Sequence, residues 1–368
     1  MKIRMGTLTF WATVLLITNA NIAIAAKYAF TDIGTLGGDY SIANSINNLG
    51  HVVGASTVNA NTFSPQAFIW DGSQIARLNQ NSHNIGSAFD INDYGQVVGF
   101  ESINGNFNAT LWNNGAVDYL GADSSARGIN NSGQIVGDFT NIPTLWAGSN
   151  ITLLSPPPRN GFSQNGYASA INELGKVVGA TNLADNTTRA TLWSPNGARF
   201  TTTYLATLGG TDSYAYDIND YDLVVGTSYT SNNSEFIATL WNGQSVYNLG
   251  ALNGSSRSDA FAINNSGQIV GSSFSSIVNS NYATLWENNQ IIDLNSLLDA
   301  DTVNAGWVLN EANDINDNGY IVGNAFNLNT RQTHAFLLSP IPEPETFLML
   351  LVGLGLIGFN SRTRSNQT

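Results

Sequence analysis

SINNLGHVVG, residues 45–54, decides the fold, because the chain writes the same pattern seven times. A lead residue is followed by Ile-Asn, a short turn usually closed by Gly, then a β-branched pair and a second Gly. It returns as DINDYGQVVG (90–99), GINNSGQIVG (128–137), AINELGKVVG (170–179), DINDYDLVVG (217–226), AINNSGQIVG (262–271) and DINDNGYIVG (314–323). With the shared Asn as register, at Asn47, Asn92, Asn130, Asn172, Asn219, Asn264 and Asn316, the spacings run from 38 to 52 residues. Periods of that size mark propeller blades or solenoid arrays. A second motif follows in each unit, AFIW at 67–70, ATLW or PTLW in five units, and AFLL at 335–338. A third, an apolar strand ending in Leu-Gly such as Tyr119-Leu120-Gly121, closes it.

Each unit therefore predicts four strands: one entering Ile-Asn, the Val-Val-Gly strand, the Leu-Trp strand and the Leu-Gly strand. Four strands per unit is a propeller blade. The two ends favour a closed ring over an open solenoid. The seventh unit stops after its third strand, and a spare closing strand, YAFTDIGTLGG at 28–38, precedes the first complete unit. An open array wants capped ends and has no use for that offset. The fold class is all-β, a seven-bladed β-propeller over 26–340 closed by an N-terminal strand. A lone blade of ~45 residues meets ~1.5 kcal/mol per residue of ordering entropy with little core to offset it, so the blades must stack. Trp70, Trp112, Trp146, Trp193, Trp241 and Trp286 recur, one in each of the first six units. Each can bury ~150–250 Å², which makes them the expected glue between blades. The recurring Gly from Gly54 to Gly323 is expected to end each second strand, where a side chain would clash or φ must be positive.

Composition agrees and excludes. Only 11% of the 368 residues are charged, with 42% hydrophobic, a balance of short strands and many turns. Residues 27–341 hold nine Lys plus Arg against twenty-four Asp plus Glu, a formal charge of −15. That surface repels nucleic acid phosphates, so no nucleic acid partner is expected. Cysteine is absent, which removes disulfides, thiolate metal sites and cysteine nucleophiles.

The termini carry addresses. Residues 1–25 combine Lys2 and Arg4 with an apolar stretch and the small residues Ala23 and Ala25, a secretory signal peptide for signal peptidase to cut after Ala25. Residues 341–368 carry Pro342-Glu343-Pro344, an apolar run at 347–359, and Arg362 and Arg364. Thirteen helical residues span only ~20 Å against a hydrocarbon core of ~30 Å, so this short transmembrane helix is a transient anchor with its arginines on the cytoplasmic side. The three parts in this order resemble the PEP-CTERM sorting signal. The resemblance implies an exosortase-like processing enzyme that removes the tail near the motif, export across the inner membrane, and release at the cell surface or outside the cell. The repeats also resemble the HAF repeat of exported bacterial proteins. His334-Ala335-Phe336 is the full triplet, and Ala-Thr-Leu-Trp replaces it in most units.

Little in the sequence speaks for catalysis. The histidines, His51, His83 and His334, share no motif, which argues against a histidine metal cage or a Ser-His-Asp triad. No cofactor is expected. Asp314 to Gly319 matches the first half of a calcium loop, but Ala325 stands where the distal Glu belongs, and six sister segments share the register as hairpin turns. The Asn side chain is expected to cap that turn. If the Ile-Asn strand is innermost, the Asn side chains ring one channel mouth. Asn92, Asn219, Asn316, Asp90, Asp217 and Asp314 are then candidate ligands for a hydrated cation or polar glycan. The reading is a noncatalytic binding, matrix or adhesion module that meets extracellular polysaccharide. The alternative is a secreted carbohydrate-active enzyme using acidic residues at the mouth.

Overall fold

The computed structural model describes residues 28–60, 63–80, 84–154 and 165–341. The predicted signal peptide with Ala23 and Ala25, the sorting residues Pro342, Glu343, Pro344, Arg362 and Arg364, the run at 347–359, and His83 lie outside the described residues. Among the described residues no helix is long and apolar enough to cross a membrane.

Seven four-stranded antiparallel sheets follow one another around a ring. The first strands of blades 1 to 7 are Ser41–Ile46, Gly86–Ile91, Ser124–Ile129, Gly166–Ile171, Gly209–Ile218, Arg257–Ile263 and Trp307–Ile315. Each packs against the first strands of both neighbours, and that of blade 7 packs against that of blade 1, so the ring is closed and lined by these strands. Blade 7 takes its fourth strand from the N-terminus: Tyr28–Gly34 pairs antiparallel with Thr333–Pro340, from Tyr28 opposite Pro340 to Gly34 opposite Ala335. The closing strand inserts Tyr28 and Ile33 into two different core clusters. His334 Nδ1 lies 2.9 Å from Asp32 Oδ1 across this seam.

The core is a set of clusters between blades. All six recurring tryptophans are buried. Trp193 of blade 4, for example, packs with Val136 and Leu145 of blade 3 and with Ile171 and Val177 of its own blade. Leu338 takes the Trp position in blade 7, in a cluster with Ala262, Val270 and Leu285 of blade 6.

The second Gly of each repeat differs from expectation in its place, while of the two expected causes the side-chain clash is the one found. Gly226 lies inside the second strand, Leu223–Thr230, not at its end. Its φ is not in the left-handed range; a Cβ there would stand 2.0 Å from the carbonyl oxygen of Tyr214. The partner strand explains the approach: its register slips between Ala215 and Asp217, a bulge that leaves Tyr216 unpaired. The same bulge recurs in all seven first strands, and the six sister glycines face equally close carbonyls. The glycine is the partner of the bulge.

Candidate functional site

The hairpins between first and second strands gather at one end of the channel, here the turn face. The seven repeat asparagines are buried there, each doing two tasks. Asn219 Oδ1 accepts from the backbone N–H of Tyr221 (3.0 Å) and Leu223 (3.1 Å), capping its own turn. Its Nδ2 donates to the carbonyl oxygen of Asn264 in the next blade, 3.1 Å away. Asn264 donates to Asn316, Asn316 to Asn47, and so on through Asn92, Asn130 and Asn172 back to Asn219. Seven identical side chains thus close a circle of interblade hydrogen bonds. The segment from Asp314 to Gly319 is one of these capped turns, with Asn316 Oδ1 accepting from Asn318 and Tyr320.

A second circle lies outside the first. The residue after each repeat Asn accepts, through its side-chain oxygen, the backbone N–H of its counterpart in the preceding blade: Asn48 to Asp93, Asp93 to Asn131, Asn131 to Glu173, Glu173 to Asp220. The chain of donors continues from Asp220 to Asn265, Asp317 and back to Asn48. Sequence reasoning missed this ring as a unit. The signal was present: every residue following the repeat Asn is Asn, Asp or Glu.

Asp90, Asp217 and Asp314 form a tier just inside, each spanning two blades. Asp217 accepts from Ile218 N–H (2.8 Å) in its own strand and Ile263 N–H (2.9 Å) in the next. Asp90 bridges Ile91 and Ile129 in the same way, and Asp314 bridges Ile315 and Ile46. Blades that carry Gly128, Ala170 or Ala262 at this position lack the bridge, which explains the uneven spacing of the acids. Ser45 Oγ stands 2.8 Å from both Asp90 Oδ1 and Asp314 Oδ2. One hydroxyl proton serves only one of two carboxylates at a time, so a proton on either acid would complete the trio. The electrostatics point the same way. Burial, and then the charge of Asp217, push the Asp314 carboxyl up to about 7. Burial raises Asp217 to about 6 and also raises Asp90.

The turn-face mouth is a cavity of about 180 Å³ lined by Ile, Asn, Asp and Glu with no basic side chain. Tyr94 and Tyr221, next in sequence to the lining residues Asp93 and Asp220, are 72% and 71% exposed. Of the candidate residues, Asp90, Asp217 and Asp314 come together in one tier, while Asn92, Asn219 and Asn316 join them only as parts of the circle, with their amides engaged. Among the described residues no group of three or more His, Asp and Glu side chains is arranged to hold a metal ion.

The class defined by this fold and channel is the seven-bladed β-propeller with a hydrogen-bonded polar mouth. Residues 208–337, from blade 5 to the end of blade 7, match the family described as "Protein of unknown function (DUF3466)". Residues 340–365 match the PEP-CTERM protein-sorting motif, which marks the chain as exported and sorted through exosortase-like machinery to the cell surface or extracellular space. No curated protein matches the chain.

Proposed function

We propose that the chain is a noncatalytic binding or matrix module of the cell surface or extracellular space. In this reading its repeats are HAF repeats, its signal peptide (1–25) is cut after Ala25, and exosortase acts near Pro342-Glu343-Pro344 while the run at 347–359 holds the membrane transiently. The observation that carries the noncatalytic reading is the state of the inner acids: Asp90, Asp217 and Asp314 each hold backbone N–H groups of two blades, which commits them to the ring. The acidic mouth above them is the proposed seat for a hydrated cation or the polar end of an extracellular polysaccharide, with the neighbouring Tyr94 and Tyr221 as stacking surfaces. A glycan array run beside a hydrolysis screen tests this. Binding without turnover is expected, with retention reduced by Asp220→Asn plus Asp317→Asn, which line the mouth, or by Tyr221→Ala; no change in glycan binding or calcium-dependent melting in the double Asp variant would remove the mouth from consideration.

The second reading, a carbohydrate-active enzyme, draws on one observation: a carboxyl raised to about 7, as at Asp314, is poised as a general acid. Turnover abolished by a single carboxylate substitution would establish it.

A further inference from the structure

Away from the turn face the seven repeats stop agreeing. The Ala before each bulge, from Ala43 to Ala312, is fully buried in every blade, and the Ile and Asn beyond it never change. The bulge residue itself is Phe89, Arg127, Tyr216 or Phe261 in four blades and Asn44, Ser169 or Asn313 in the others. All seven are partly exposed. The residue before the Ala varies as widely, including Tyr167, Tyr214, Asp259 and Glu311. Within one chain, positions that the ring requires read alike in every unit. These two tiers are released from that requirement, yet they collect aromatic and charged side chains on the innermost strands.

Their contacts run around the wall from blade to blade. The Arg127 guanidinium lies 5.9 Å from the Phe89 ring centroid and 5.0 Å from that of Tyr167. Its Nε is 3.1 Å from Asp138 Oδ1, so its charge is matched inside the protein. Tyr216 and Phe261 are ring neighbours at 5.8 Å. Glu311 accepts from Asn281 Nδ2 (2.9 Å) and Asn324 Nδ2 (3.2 Å), which fix its carboxylate. Burial raises Asp259, and the charge of Glu311 adds to that effect. Aromatic faces in blades 4 to 6 thus lead to two neighbouring carboxylates in blades 6 and 7.

We propose that this end of the channel binds a saccharide, with the apolar face of a sugar ring on Tyr216 and Phe261 and its hydroxyls donating to Asp259 and Glu311. A sugar presents C–H faces and O–H donors together, the two chemistries this wall offers. Phosphate or sulfate is disfavoured by the two carboxylates, and Arg127, the guanidinium among these aromatic faces, is already paired with Asp138. The inference rests on the binding reading above and moves its site to the opposite mouth. Access agrees: Pro340, two residues before the sorting motif, lies beside Gly319 on the turn face, so the opposite mouth is the one remote from the point where the chain leaves the ring.

The test is titration of the full-length chain with hexasaccharides of β-1,4-glucose and of N-acetylglucosamine, with alginate and spermidine as contrasts, followed by saturation-transfer NMR. A neutral or N-acetylated hexasaccharide is expected to bind. Tyr216→Ala plus Phe261→Ala is expected to weaken it at least tenfold, Glu311→Gln is expected to weaken it as well, and Tyr247→Ala on the outermost strand of blade 5, 50% exposed in the parent, is expected to have no effect. Should the double aromatic variant fold poorly, Phe261→Leu and Asp259→Asn report on the same contacts. Binding lost in Tyr221→Ala but intact in the belt variants overturns this inference and leaves the proposed function standing. Binding of spermidine alone, or of no saccharide, overturns it as well.

Discussion

Asn219 shows how much one side chain can carry. It caps a turn with its oxygen and ties two blades with its nitrogen, from a position 5% exposed. Asn219→Ala leaves a carbonyl and two N–H groups without partners, at roughly 1–3 kcal/mol per buried group, so a loss of about 3–5 kcal/mol is expected in urea denaturation. Asn219→Asp should fare little better, since it keeps the cap but turns a carboxylate toward the Asn264 carbonyl. The inner acids make a pH prediction. Asp217 and Asp314 rise from 3.8 to about 6 and about 7, so between about pH 4 and pH 7 the folded ring binds protons that the unfolded chain has released. Stability therefore falls as pH rises through that window. Melting temperature should climb as pH is lowered from 8 to 5, and Asp314→Asn should flatten the slope; an equal slope in the variant would show that the tier does not titrate there. The repeat sequence announced the cap at each Asn but not its partner, because the partner is the same residue one blade on, and recurrence alone does not say what touches what.

At the scale of the element, the bulge and its glycine are one device. Gly226→Ala drives a methyl into a backbone oxygen that no rotamer change can move, and a loss of about 1–3 kcal/mol or more is expected, read as a lower denaturant midpoint. The glycines and the clash behind them were legible; the bulge that makes the clash was not, since a bulge is a property of two strands. The closing strand was legible almost whole, because a missing fourth strand at one end and a spare at the other are matters of counting. Its side-chain contact was not: His334 Nδ1 and Asp32 Oδ1 meet across 302 residues of sequence. In the turn of blade 5, Asp222 takes the place of Gly at φ 63° and pairs with Lys176 of blade 4 at 2.6 Å. Backbone relief and the lost ion pair oppose each other in Asp222→Gly, each within about 1 kcal/mol, so its midpoint should barely move.

At the scale of the molecule, the chain enters the ring at Tyr28 and leaves it at Pro340, paired neighbours on the turn-face side of blade 7. Only residues 342–346 separate the described ring from the apolar run, at most ~17 Å of extended chain. If the run at 347–359 anchors the chain as proposed, the turn face is held close to the membrane until the tail is removed, and the opposite mouth looks outward. A chain without cysteine makes this measurable. Tyr221→Cys on the turn face and Ile277→Cys on the opposite face, 71% and 82% exposed in the parent, should react alike with a bulky maleimide once the tail is gone. Before cleavage the Tyr221→Cys variant should react several-fold more slowly. The site proposed at the opposite mouth was the least legible part of the molecule, because it lies where the repeats differ, and a repeat is recognised by what stays the same.

The outer circle at the turn face also obeys a rule of parity. Amide and acid alternate around it, Asn48, Asp93, Asn131, Glu173, then Asp220, Asn265, Asp317, but seven is odd, and an odd circle cannot alternate without one mismatch. It falls between Glu173 and Asp220, where an acid faces an acid and the link is a single backbone N–H. On either side of Asp93 and of Asp220's neighbour Asn265, the alternating pairs add amide-to-carboxylate bonds. An even-bladed ring could be uniform; this one has a seam between blades 4 and 5. Glu173→Gln, which turns the mismatch into a donor and an acceptor, should raise the unfolding midpoint, with the gain shrinking as salt is added.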